Sequence, residues 1–375
     1  MSNITHQDMR EQNIKKIFKE ISANNGITRN EIAPRAGVSL MTVTTIVDAL
    51  IKKRVVLEHT DKTSNNRYGR RPAKIFLNAD EKKIIILDLT EREFCFVLLN
   101  LGLQAQNTFK HKYDYNIGYE ENLDLFLNNV KGITINSSNQ ENEYIGVGII
   151  SPAPCIDESE YVYCPRLPEL KNINIRHIVK KYFDLEILIG EDVQLAMLSI
   201  LDMMPEISDR DVFFIYIGNN GVGGAVWING NVYFGCDGYA GDIGQLSTPD
   251  GDRIENTIAF STFEREAAQY LKKEEAVCPR IKDNSREIVS LIYEYAGRIA
   301  STIYVAVCLF SPYAVIIESP YRMFGQEFLD IISSAISDKL VPGSRYKPLI
   351  RFSNQELPHA AYGIGLNIRE KWLVS

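Results

Sequence analysis

The chain lacks any C-x-x-C pair: its six cysteines, Cys95, Cys155, Cys164, Cys236, Cys278 and Cys308, are scattered. In a chain of 375 residues that excludes a disulfide framework and points to free thiols in a reducing compartment. No apolar run approaches the length of a membrane span, so no membrane partner is expected. The opening residues, MSNITHQDMREQNIKK, hold no apolar core of the signal-peptide kind, and the expected location is the cytoplasm. No short internal repeat is present. What remains is ordinary globular composition, 45% hydrophobic and 24% charged, at a length that fits two or three domains.

Charge is unevenly spread. The net charge is −7, but residues 1–78 carry 14 Lys and Arg against 7 Asp and Glu. A basic head on an acidic body suggests that the head meets a polyanion. Within it, Ile14, Ile17, Phe18 and Ile21 recur at helical spacing until Asn24-Asn25-Gly26. Thr28 with Glu31 reads as a capping box, and Gly37 closes the short helix that follows. Ser39 then caps a longer helix whose apolar stripe is Val43, Ile46, Val47, Leu50 and Ile51. A short helix, a Gly-containing turn and a longer helix make a helix-turn-helix. Ser39, Met41, Thr42, Thr44 and Thr45 open the third helix and are candidate contacts to phosphates and base edges. Strands at 54–57 and 74–77 would flank a basic wing carrying Arg67, Arg70 and Arg71. The competing reading is a winged helix that binds protein only.

The body is organised around residues 212–246. An apolar run, Val212 to Ile217, is followed by Gly218, Gly221, Gly223 and Gly224, then by a second run, Ala225 to Ile228. Asn229-Gly230 before Val232-Tyr233-Phe234 is a strong hairpin signal. Gly235, Gly238, Gly241 and Gly244 close the stretch, with Asp242 among them. So many glycines imply a backbone that comes close to something. Further strands are expected at 83–88, 94–100, from Leu103, and at 144–150, 185–189 and 314–317, with a long helix over 287–309.

The order strand, glycine turn, hairpin and G-x-A-G-acid-I-G resembles the signature of the ROK family, which joins sugar kinases and sugar-responsive repressors. The matching residues are Gly221, Gly223, Gly230, Gly235, Gly238, Ala240, Gly241, Asp242, Gly244 and Gln245; Asp242 stands for the family's Glu and Gln245 for its His. Gly69-Arg70-Arg71-Pro72 resembles the wing of ROK repressors. The resemblance implies an α/β protein: a winged helix-turn-helix over residues 1–80, then a two-lobed, actin-like and ribonuclease H-like ROK domain over 81–375, its halves meeting near 200–212. It implies sugar contacts at Glu191, Asp192, Asp242, Gln245 and Glu255, with Asp192 matching the kinases' general base. It also implies a double-stranded DNA operator and a homodimer or homotetramer.

Three departures shape the function expected. Kinases of the family carry D-x-G-G-T in the first hairpin, where this chain has Asp88-Leu89-Thr90-Glu91. They carry a Gly-Gly turn where it has Glu318-Ser319-Pro320. The usual zinc ligands are missing, since residues 245–261 contain no Cys or His, and neither metal nor cofactor is expected. The expected protein is a repressor of carbohydrate genes that binds its sugar without turnover. A ROK sugar kinase with a DNA-binding head is the alternative, and a repressor whose pocket has decayed is a third.

Overall fold

A computed structural model of the chain describes residues 6–59, 72–137, 143–156, 161–164, 166–272, 275–353 and 359–375. Arg67, Arg70 and Arg71 lie outside the described residues. Two compact units emerge: Met1–Pro152 with Glu160–Gly190 and Ile364–Ser375, and Ala153–Ser159 with Glu191–Gly363. The division falls after Gly190, not at 200–212, because the helix that starts at Asp192 packs on the second sheet.

The first unit begins with helices α1 (His6–Ala23), α2 (Arg29–Ala36) and α3 (Leu40–Lys52). α1 buries Ile14, Ile17, Phe18 and Ile21 as its spacing required. Thr28 and Glu31 form the reciprocal capping box at the start of α2, and Gly37 ends it at φ 67. α3 buries Val43, Ile46, Val47 and Leu50. Strands β1 (Ile27–Thr28), β2 (Val56–His59) and β3 (Lys74–Leu77) form a small sheet in the order β1-β3-β2. β1 has no signal in the sequence; Ile27 pairs with Ile75, and both are buried.

A five-stranded sheet follows from β4 (Lys83–Asp88), β5 (Phe94–Asn100), β6 (Ala105–His111), β7 (Tyr144–Ser151) and β8 (Ile187–Glu191), in the order β8-β7-β4-β5-β6. Helices α4 (Tyr119–Ser137) and α5 (Ile175–Lys180) connect it. β6 starts two residues after Leu103, which sits in the turn at φ 59, and β8 starts at Ile187, not Leu185.

The second unit repeats the plan. After α6 (Asp192–Met203) come β9 (Val212–Ile217), β10 (Val222–Ile228) and β11 (Asn231–Val232). Helices α7 (Ile254–Ile258), α8 (Phe260–Ala267) and α9 (Arg286–Phe310) follow, then β12 (Ala314–Glu318), α10 (Gly325–Ser337) and β13 (Leu349–Phe352). The sheet order is β11-β10-β9-β12-β13. In each sheet the first strand is central, antiparallel to the second and parallel to the fourth. That repeated order is the ribonuclease H-like plan. β9 divides its side chains by the period of two: Val212 and Phe214 pack with α6, while Phe213, Ile215 and Ile217 pack with α8, α9 and α10. The expected hairpin turn is present, with Asn229 at φ 53 and Gly230 at φ 77.

The last helix, α11 (His359–Val374), lays its later half in the first unit. Arg369 is buried there; its Nη1 donates to the Leu101 carbonyl at 2.9 Å, and its guanidinium sits 5.0 Å from the Phe18 ring centroid. Lys15 pairs with Glu370 at 2.8 Å, and Lys53 lies over Trp372. The helix-turn-helix is thus packed on the C-terminal helix.

Two glycines of the stretch 212–246 approach the chain's own backbone. A Cβ at Gly244 would lie 1.9 Å from the Val222 carbonyl oxygen, and one at Gly224 would lie 2.4 Å from that of Gly241. Gly244→Ala should therefore destabilise the second unit by about 3 kcal/mol, read by urea denaturation. Gly132→Ala, in α4 with open space around it, should instead stabilise by about 0.8 kcal/mol.

Candidate nucleic-acid interface and effector site

The first turns of α3 carry all the helix residues singled out for DNA contact. Ser39 caps the helix by accepting the Thr42 N–H at 3.1 Å, and its hydroxyl lies 2.8 Å from that of Thr42. Thr44 and Thr45 donate their hydroxyls back to the carbonyls of Leu40 and Met41. Met41 is 82% exposed. Arg29 holds α3 in place: it donates to Asp48 at 2.8 Å and pairs with Glu58, tying α2, α3 and β2 together.

The five candidate sugar contacts all fall in the second unit. Glu191 ends β8 and is the N-cap of α6, so Asp192 is its first helical residue rather than its cap. Asp192 Oδ1 accepts the Val193 N–H at 2.8 Å. Burial holds the Glu191 carboxyl well above the usual range, and the negative charges of Asp192 and Asp242 add to the rise. Asp242 is pushed up to about 6, first by burial and then by Glu255, with Arg253 opposing. Gln245 donates to Glu255 at 3.4 Å, and Arg253 pairs with the same carboxylate. The loop bearing Asp242 is pinned by Gln194, which stands where the family's kinases have an Asn: its Nε2 donates to the Gly238 carbonyl at 2.7 Å. Beside Asp242 a cavity of about 160 Å³ opens, walled by Phe213, Tyr239, Leu246, Val305 and Leu309.

Asp250-Gly251-Asp252 forms a turn, with the Thr248 N–H donating to the Asp252 carbonyl. Among the described residues no three His, Cys, Asp or Glu side chains are grouped to hold a metal ion.

The turns that stand in place of the kinases' glycine turns, and the glycine segment at 218–219, are held by local contacts. Asp88 spends Oδ1 on the N–H and hydroxyl of Thr90, closing the first turn locally. The carbonyls of Gly218 and Asn219 accept from Phe260 and Ser261, the first N–H groups of α8. The Tyr216 ring covers Gly218 so closely that a Cβ there would lie 2.7 Å from it. Glu318 lies 3.2 Å from the buried His359, and burial pushes its carboxyl up to about 7. Ser319 caps the short helix that starts at Pro320.

A model described as "ROK family" matches residues 119–361, and one described as "Winged helix-turn-helix DNA-binding" matches residues 10–56. The chain is 24% identical over 361 residues to the xylose repressor of Caldicellulosiruptor bescii, covering 89% of each protein. Its fold matches the crystal structure of a ROK family transcriptional regulator, a homologue of the Escherichia coli MLC protein, with a TM-score of 0.75 at 17% identity, over 97% of this chain and 98% of that one. A putative sugar kinase from Cytophaga hutchinsonii shares the fold over 76% of this chain and 99% of its own, with a TM-score of 0.65 at 17% identity.

The raised carboxyl of Asp242 makes stability depend on pH. Its folded pKa, about 6, exceeds its ordinary 3.8, so its contribution is full below 3.8 and is lost as pH rises through 6. The stability of Asp242→Asn relative to wild type should therefore shift by about 2 kcal/mol in the variant's favour between pH 4 and pH 7.5. Urea denaturation at the two pH values measures it, and a pH-independent difference would remove the buried-acid assignment.

Proposed function

The chain belongs to the ROK family, and we propose that it is a DNA-binding transcriptional repressor of carbohydrate genes whose ROK domain takes a sugar or sugar derivative as effector. The reading is supported by Glu191, Asp192, Asp242, Gln245 and Glu255 falling in one unit, with the carboxyls of Glu191 and Asp242 raised by burial, in a chain where Asp88-Leu89-Thr90-Glu91 and Glu318-Ser319-Pro320 stand in place of the kinases' glycine turns. Carboxylates and amides suit vicinal hydroxyls because each offers two in-plane positions for hydrogen bonds. The helix-turn-helix supplies the second partner, an operator in double-stranded DNA. Reading a palindrome calls for a homodimer or homotetramer with half-sites whole helical turns apart. Residues 1–80 act as the reader and 81–375 as the sensor, in the cytoplasm where the operator is. No single helix among the described residues is long and apolar enough to cross a membrane.

Phosphoryl transfer needs a base and a cradle for the nucleotide phosphates and their metal ion. Asp192 stands where the base would be. Two of the cradle's glycine turns are replaced, the first by Leu89-Thr90-Glu91 and the glycine pair by Glu318-Ser319-Pro320, and only the segment Gly218 to Gly224 is kept. A positioned carboxylate without a bound nucleotide holds a sugar and does not turn it over. The xylose repressor relative agrees in carrying a repressor's name over nearly its full length.

Two experiments test the reading. In gel shifts with hexoses, pentoses and their phosphates, one ligand should change operator affinity. Asp192→Asn should blunt that response at least tenfold in ligand concentration while leaving ligand-free DNA binding unchanged. Sugar-dependent ADP release that Asp192→Asn abolishes would overturn the non-catalytic reading in favour of a kinase with a DNA-binding head. Separately, Arg70→Ala with Arg71→Ala should weaken operator binding and lower its salt slope by about 2. An unchanged slope removes the wing from the interface.

A further inference from the structure

The outward chemistry of α3 is almost wholly apolar. The hydroxyls of Thr44 and Thr45 are spent as donors on the carbonyls four residues back, and those of Ser39 and Thr42 are engaged with each other at the cap. What projects from the first turn is carbon and sulfur: Met41 is 82% exposed and Leu40 47%. α3 carries no Arg, Lys, Asn or Gln before Lys52, so it has no fork that could grip guanine or adenine bidentately. Its one acid, Asp48, is held by Arg29.

In a helix-turn-helix the N-terminal residues of the second helix meet the base edges of the major groove. Of the four bases only thymine presents a methyl group there. We propose that this helix reads thymine C5-methyl groups through Met41 and the methyl of Thr45, with Leu40 at the rim, so that each operator half-site carries thymines where these side chains enter. The proposal rests on the DNA-binding reading above and specifies what is recognised. The basic balance of residues 1–78 favours DNA over a protein as the partner of this apolar tip, because the same head would then supply the phosphate contacts.

The test starts from half-sites selected by the full chain from random duplexes. Thymines in them are replaced one at a time by deoxyuridine, which removes the methyl and leaves the pairing edge intact. At one or more positions binding should weaken about fourfold, the scale of one buried methyl. Met41→Ala should weaken binding to the thymine duplex and erase the thymine–uracil difference at one position, with an unchanged salt slope and an unchanged helical circular dichroism spectrum. Indifference to deoxyuridine at every position, or selected half-sites made of G·C pairs alone, overturns the proposal while leaving DNA binding intact. Failure to select any duplex overturns the DNA reading as well and turns the exposed tip into a protein contact.

Discussion

The close approach of Gly244 to the Val222 carbonyl is the constraint on which the loop carrying the candidate residues Asp242 and Gln245 depends. Gly244 lies against β10 so closely that it has no room for a methyl group, and a Cβ at Gly241 would lie 3.0 Å from the Gly224 carbonyl oxygen. Gln194, on the first turn of α6, holds the same loop by the Gly238 carbonyl. Asp242 is therefore fixed between a strand and a capped helix, and Gln245 follows within one turn. The burial that comes with this packing raises the carboxyls of Glu191 and Asp242 above their ordinary range. Packing and chemistry cannot be separated here: the glycines serve the site by letting the chain approach itself.

The same geometry explains how one frame hosts both kinases and regulators. The strand order, the hairpin and the carboxylate at the start of α6 are compatible with either. In this chain a turn is closed by Asp88 and Thr90, Tyr216 lies against Gly218, and Glu318 contacts His359. None disturbs the core clusters on either face of β9.

At the other end of the chain, Arg369 ties the DNA reader to the body of its unit. A buried guanidinium must find partners, and this one finds the Leu101 carbonyl and the face of Phe18. The C-terminal helix is consequently part of the reader's packing, although it lies more than three hundred residues away along the sequence.

Much was legible in order along the chain. The helical spacing of Ile14 to Ile21, the capping box at Thr28, the cap at Ser39 and the Asn229-Gly230 turn are short-range signals, and each carries its own structural consequence. The family resemblance singled out Asp192, Asp242 and Gln245 as candidates, and the structure places all three in one unit. Other features had no local signal. β1 exists because Ile75 needs a neighbour, and the strand starts at Leu103 and Leu185 moved because neighbouring turns claimed those residues. By itself, the sequence determined the elements, their caps and the candidate residues, since these follow from spacing within a few turns. Only the tertiary structure decided that Gly224 and Gly244 face backbone and that Arg369 holds the reader. Each depends on what stands opposite in space, and for Arg369 and Leu101 that partner is 268 residues away.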